Sequence, residues 1–272
     1  PLRRHPCAQA VEPPLNDRYR ACRRMIAVIS PAKSLDFVSP LPHIAPSRPR
    51  FAVEAESLAH AAARLPQKRL RELMGISPAL AKLNHERFAA FGDAPERPAL
   101  YAFDGDVYAG LDAGTLEEPA VAFAQDHLRI LSGLYGLLRP LDAIRPYRLE
   151  MGVRWAPRRA RLTDWWDDRV ARALADDLAQ DGSGVVLNLA SQEYWSAVDG
   201  RLPAGVRVIS ADFRDGPDRR FITYYGKRAR GMMARWLVEH RVADPDDMRA
   251  FDADGYRFDA EASTADHWLF VR

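Results

Sequence analysis

The residues in this chain that could do chemistry are mostly arginines, lysines and carboxylates. The densest set lies in LSGLYGLLRPLDAIRPYRLEMG, residues 131–152. Arg139, Arg145 and Arg148 stand there among Asp142, Glu150, Tyr135 and Tyr147. A guanidinium grips phosphate through a planar fork, and a tyrosine ring offers a face to stack on. One reading is a surface for an anionic ligand. The other is a structural corner whose arginines pair with Asp142 and Glu150. A second set is Lys227, Arg228, Arg230 and Arg235, in GKRARGMMARW at 226–236. Arg228 and Arg235 are seven apart and share one side of a helix, while Arg230 falls on another. Residues 219–241 set seven basic groups against Glu239 alone. Solvated faces usually mix signs, so this excess points to an anionic partner.

Two polar groups follow apolar, strand-like runs. Lys33 comes after MIAVIS at 25–30, and Ser191, Glu193 and Tyr194 come after VVLNL at 185–189. Open α/β sheets bind ligands where such loops leave the strands, although Ser191 also suits a plain helix cap. Asp104-Gly105-Asp106 pairs two carboxylates that could hold a cation or exchange protons, but it reads more simply as a hairpin turn.

The elements that must position these groups follow from spacing. Helices are expected over Phe51–Leu65, over Gln67–Met74 and from Pro78 towards Phe91, where proline costs nothing at the first helical position. Ala99–Leu111 reads as strand and turn, and Phe123–Leu138 as a helix with Leu128, Leu131 and Leu134 on one face. A helix is expected over Leu162–Leu178. Strands are expected at Val206–Phe213, Phe221–Tyr225 and His267–Val271. Gly133 and Gly136 suggest another backbone passing close by.

Within LMGISPALAKL, residues 73–83, a helix, a tight turn and a second helix succeed one another. This segment resembles the helix-hairpin-helix module, which binds DNA without reading its sequence. In that module the hairpin glycine lets backbone N–H groups face a phosphate at a helix N-terminus. Gly75, Ile76, Pro78, Leu80 and Ala81 match it; Ser77 stands where a second glycine is usual. A generic corner between helices fits the same letters.

Composition narrows the classes. The net charge is +2, from 39 basic and 37 acidic residues. Residues 1–24 carry six arginines against two acids, so the remainder is slightly acidic with two basic stretches. That distribution focuses an anionic partner onto one face, provided the stretches meet in the fold. The two cysteines, Cys7 and Cys22, precede Met25, which leaves no thiol chemistry for the rest of the chain. The histidines form no metal-ligand spacing, and no metal or cofactor is expected. No apolar run is long enough for a membrane span. No Walker loop, nucleophile elbow or dinucleotide fingerprint is present.

Six blocks in order carry a family resemblance: ISPAKSLDF at 29–37, FDGDVYAGL at 103–111, LSGLYGLLRPLDAIRPYRLEMG at 131–152, LNLASQEY at 187–194, GKRARGMMARW at 226–236 and GYRFD at 255–259. From Met25 onward the chain resembles the YaaA family of peroxide stress proteins. The resemblance implies a bacterial cytoplasmic protein linked to surviving hydrogen peroxide and to limiting free iron. It further implies binding of double-stranded or distorted DNA through an embedded helix-hairpin-helix-like element and a basic cleft. Carried onto this chain, the hairpin is Gly75, Ile76, Ser77 and Lys82. The cleft candidates are Lys33, Arg139, Arg145, Arg148, Lys227, Arg228, Arg230 and Arg235.

The expected fold is α/β in the mixed α+β sense: one compact domain over 25–272, with a mixed sheet, flanking helices and the hairpin element. Residues 1–24 are expected to be a disordered, non-family extension. Two functions are expected to compete: sequence-independent DNA binding, and an enzyme acting on a phosphorylated or nucleotide-like small molecule. A deep pocket collecting Lys33, Arg148 and Glu193 favours the enzyme. An open basic groove reaching Gly75 favours DNA.

Overall fold

In the computed structural model, which describes residues 25–272, the run after Met25 forms β1 (Ile26–Ile29), with all four residues buried. The extension expected over 1–24 lies outside the described residues. Short strands β2 (Ser34–Leu35), β3 (Arg97–Pro98) and β4 (Phe103–Asp104) follow. The longer strands are β5 (Leu128–Ser132), β6 (Gly136–Leu138), β8 (Val185–Asn188), β9 (Arg207–Arg214) and β11 (His267–Val271), with β7 (Ala143–Ile144) and β10 (Arg257–Phe258) between them. Seven strands make one mixed sheet in the order β10-β11-β9-β8-β1-β5-β6. Within it β5, β1, β8, β9 and β11 run parallel, while β6 and β10 are antiparallel edges. Helices flank the sheet, and the result is a single compact α/β body.

Parallel strands covered on both faces read as unbroken apolar runs. This is why β1 (IAVI) and β8 (VVLN) stand out in the sequence and are buried throughout. They are neighbours, and the chain leaves them in opposite directions: β1 is followed across the sheet by β5, β8 by β9. Such a reversal opens a crevice beyond the carboxyl ends of the two strands.

Four expected elements differ. The helix expected over Phe123–Leu138 ends at His127, and β5 and β6 follow as an antiparallel pair. Leucines three apart suit a helix, but Leu128–Ser132 is buried at every position, as a central strand is. Asp104-Gly105-Asp106 is no hairpin turn: β4 stops at Asp104 and a helix begins at Asp106. The strand expected at Phe221–Tyr225 is the start of a helix, Thr223–His240. The helix expected over Leu162–Leu178 is split into Leu162–Trp166 and Arg169–Asp181, with Asp167 at φ 53° between them.

The expected close approach at Gly133 is present. A Cβ there would overlap the Leu149 carbonyl oxygen, so the 131–152 segment folds back on itself. At the other side of β5, Arg129 donates to Asp177 Oδ2 (2.6 Å) while Arg50 bonds Oδ1 of the same carboxylate. Arg129 and Asp177 side chains are only 7% and 5% exposed. Removing one member strands the other charge in the interior, so Asp177→Ala is expected to lose about 3–5 kcal/mol, read from urea unfolding midpoints.

Candidate functional site

The crevice between β1 and β8 is occupied by a cleft of about 520 Å³. Its first wall is the loop after β1, Ser30 to Ser34, carrying Lys33. Its second is the turn after β8, with Ser191, Glu193 and Tyr194. The two loops are tied together: Ser191 N–H donates to Ser30 Oγ (2.8 Å), and the two serine hydroxyls lie 3.3 Å apart. Asp104 ends β4, and Asp106 begins the Asp106–Leu111 helix. Phe221 precedes the Thr223–His240 helix, and Thr223, Lys227 and Arg230 come from it. The spacing 223, 227, 230 places the last three on one helical face, directed into the cleft.

Charges in the cleft are matched. Lys33 Nζ lies 3.7 Å from Glu150 Oε1, Lys227 Nζ 3.6 Å from Asp106, and Arg230 3.9 Å from Asp212. Arg148 lies one contact behind, donating to Glu150 Oε1 at 2.9 Å. Glu193 accepts from the Gly152 N–H at 3.2 Å, which fastens the 131–152 segment to the second wall. Burial pushes the Tyr194 phenol well above its ordinary value, with Tyr147, Glu193 and Glu150 adding to the effect and Arg148 opposing it. Tyr194 therefore stays protonated at any physiological pH. Burial also lowers the Arg230 guanidinium, with Asp212 opposing.

The loop carrying Lys33 is braced from below. Asp36 Oδ1 accepts from the Val38 and Ser39 N–H groups (2.8 and 3.0 Å), and Arg97 holds the Ser39 carbonyl at 2.8 Å. Hydrogen bonds from Ser39, then Val38, hold the Asp36 carboxyl at about 2 rather than 3.8. A depressed carboxyl stabilises the fold above its ordinary value, and that contribution is lost as pH falls. Between pH 4 and 2, Asp36→Asn is accordingly expected to melt with a shallower dependence on pH than the parent, in thermal scans at each pH.

The remaining candidates are placed elsewhere. Arg139 pairs with the fully buried Asp142, which also accepts from Ser47 Oγ (2.7 Å) and the Arg139 N–H (2.8 Å). Arg145 pairs with Glu96 (3.1 Å) and Glu56 (3.9 Å), over the Phe91 ring, in a separate pocket. Arg228 faces Asp254 at 3.8 Å. Arg235 bonds Glu239 (2.6 Å), and it donates to the Leu111 and Asp112 carbonyls (3.1 and 2.8 Å) at the end of the Asp106–Leu111 helix. For Arg139 and Arg148 the corner reading of the 131–152 segment is what the contacts describe.

Comparison with known proteins places the chain. A family model described as peroxide stress protein YaaA matches residues 25–262. This chain belongs to that family. A UPF0246 protein of Rhizorhabdus wittichii is 57% identical over 251 residues, covering 91% of this chain and 99% of the relative. UPF0246 proteins of Paracidovorax citrulli and Caulobacter vibrioides are 48% and 44% identical, each over 91% of this chain and over 98% and 99% of their own lengths.

In this YaaA-family chain the segment read as a hairpin is a helix pair, Gln67–Met74 and Pro78–Ala89. Gly75 takes the left-handed conformation (φ 60°, ψ 41°) that ends the first helix. Ser77 caps the second, its Oγ accepting from the Leu80 N–H at 3.3 Å. Leu70, Ile76, Ala81 and Phe88 are buried, while Leu80 and Leu83 are each 39% exposed. The pair carries five basic residues against Glu72 and Glu86. Arg69 pairs with Glu72 and Lys82 with Glu86, both at exposed distances of 3.6 and 3.9 Å. Lys68 and Arg71 are exposed and meet no carboxylate among the described residues. Sequence reading missed these two, although QKRLRELM shows them plainly once its one buried residue, Leu70, is known. No residue of the helix pair lines the cleft, so the hairpin and the cleft are separate places. Among the described residues no three His, Cys, Asp or Glu side chains gather as metal ligands, and no helix is long and apolar enough to cross a membrane.

Proposed function

We propose that this peroxide stress protein binds double-stranded or distorted DNA without regard to sequence, and that the helix pair 67–89 makes the contact. It acts in the bacterial cytoplasm, where shielding DNA limits iron-dependent oxidative damage. The observation that carries this reading is the exposed, positively charged pair of helices joined at a left-handed Gly75, with Lys68 and Arg71 free to meet phosphates. The arginines at 139, 145, 148, 228 and 235 each face a carboxylate, shared with Lys33 at Glu150 and with Arg272 at Asp254, so a trough through them requires those pairs to open. Lys33, Lys227 and Arg230 stand in the cleft instead.

The competing enzyme reading has its own support. The cleft collects Lys33 and Glu193, with Arg148 one contact behind. The expected rivalry between DNA and a small molecule assumed a single site, and two separate places allow both. Fluorescence anisotropy of several labelled duplexes of unrelated sequence tests the DNA reading. Similar saturable binding to all of them is expected; no binding, or binding to one sequence alone, overturns it.

A further inference from the structure

The lining of the cleft at the β1/β8 crevice holds three cations, Lys33, Lys227 and Arg230, and three carboxylates. A site with balanced charge is poorly suited to a polyanion. It suits a molecule with one anionic end and one end rich in hydroxyl or amine donors. The volume, about 520 Å³, falls within the range of small-molecule sites.

Two groups of residues around the cleft differ. In the first, the 18-residue helix Thr223–His240 begins with no side-chain cap, and its first turns present Thr223, Lys227 and Arg230 on one face. Uncapped N–H groups, a lysine and an arginine at a helix start are the standard elements of a phosphate site. The Nε of Arg230 is buried with no hydrogen-bond partner among the described residues, and its guanidinium faces Asp212 at 3.9 Å. In the second, Lys33 leads to Glu150, whose side chain is 9% exposed. Glu150 Oε1 is occupied by Arg148 and Lys33, whereas Oε2 is buried with no hydrogen-bond partner. Glu150 lies behind the lining rather than in it, and it bears on the cleft through its pair with Lys33. Glu193 adds a second acceptor in this group. Phe221, 52% exposed at the rim, has the Arg214 guanidinium over one face of its ring, 5.0 Å from the centroid, so a base would have to stack on the other.

We infer that the cleft is a binding site for a nucleoside monophosphate. Its phosphate is held by the start of the Thr223–His240 helix with Lys227 and Arg230. Its sugar hydroxyls face Glu193 and the Lys33–Glu150 pair, and its base stacks at Phe221. This goes beyond the DNA reading and does not depend on it, because the helix pair supplies none of the lining.

Isothermal titration of the full chain with adenosine, guanosine and uridine 5′-monophosphates tests the inference, with adenosine and inorganic phosphate as comparison ligands. At least one monophosphate is expected to bind saturably and about tenfold more tightly than either comparison ligand. Lys227→Ala changes a half-exposed side chain and is expected to weaken that binding about tenfold or more. Glu150→Gln is expected to weaken it too, while duplex DNA affinity stays unchanged in both variants. The inference is overturned if no monophosphate binds, if inorganic phosphate binds as tightly as the nucleotides, or if Lys227→Ala leaves nucleotide affinity intact. Loss of DNA affinity in Lys227→Ala without nucleotide binding makes the cleft part of the DNA surface: the inference then falls and the DNA reading stands.

Discussion

Replacing Lys68, Arg71 and Lys82 together with alanine is expected to weaken duplex DNA binding about a hundredfold, each phosphate contact contributing about 1 kcal/mol. All three side chains are exposed, and among the described residues only Lys82 of the three has a carboxylate within 4 Å, at 3.9 Å. Their loss empties no core position, so unfolding midpoints should stay within about 0.5 kcal/mol of the parent. Arg235→Ala is the informative contrast. Arg235 holds the Leu111 and Asp112 carbonyls and Glu239, so its removal is expected to lower stability. DNA affinity, measured on the folded fraction, should be nearly unchanged. Anisotropy titrations beside urea melts for both variants separate the two effects. Comparable affinity loss in Arg235→Ala and the triple variant would return the contact to the arginines of the second basic stretch.

Gly231→Ala is expected to cost the fold much of its stability. The helices Asp106–Leu111 and Thr223–His240 pack backbone against backbone. A Cβ on Gly231 would overlap the Val107 carbonyl oxygen and stand 2.8 Å from Leu111 N; one on Gly110 would overlap the Arg228 carbonyl oxygen. Neither obstacle is a side chain that can turn away. The helices must move apart, at a cost of about 3 kcal/mol or more. That movement also displaces the face bearing Thr223, Lys227 and Arg230 from the cleft. Gly231→Ala is thus expected both to lower the urea midpoint and to loosen any ligand of the cleft. Gly114→Ala, where the added methyl meets open space, should do neither.

The residues that later meet in the cleft were partly visible in the sequence because their strands are. β1 is wholly apolar and β8 nearly so, which makes Lys33 and Glu193 legible as groups just past strand ends. The glycine and proline punctuation at Gly75 and Pro78 likewise exposed the helix pair. Burial on both faces hid β5 and β6, whose leucines keep a helical spacing only by coincidence. Phe221 to Tyr225 has strand-like residues, yet helix begins at Thr223 and carries the cationic face inward. The fate of the arginines was illegible for a different reason. Arg228 finds Asp254, Arg145 finds Glu56 and Glu96, and Arg235 finds Asp112, all far along the chain. A basic stretch read linearly counts charges that folding neutralises.

Salt dependence tests the central claim most directly, namely that the helix pair grips DNA through its phosphates. Each phosphate neutralised contributes about 0.9 to the slope of log affinity against log salt on duplex DNA. The parent is expected to bind with a steep negative slope, and the Lys68, Arg71 and Lys82 triple variant with a slope smaller by about 2 to 3. Equal slopes for the two proteins, or a parent whose binding ignores salt, would contradict the account.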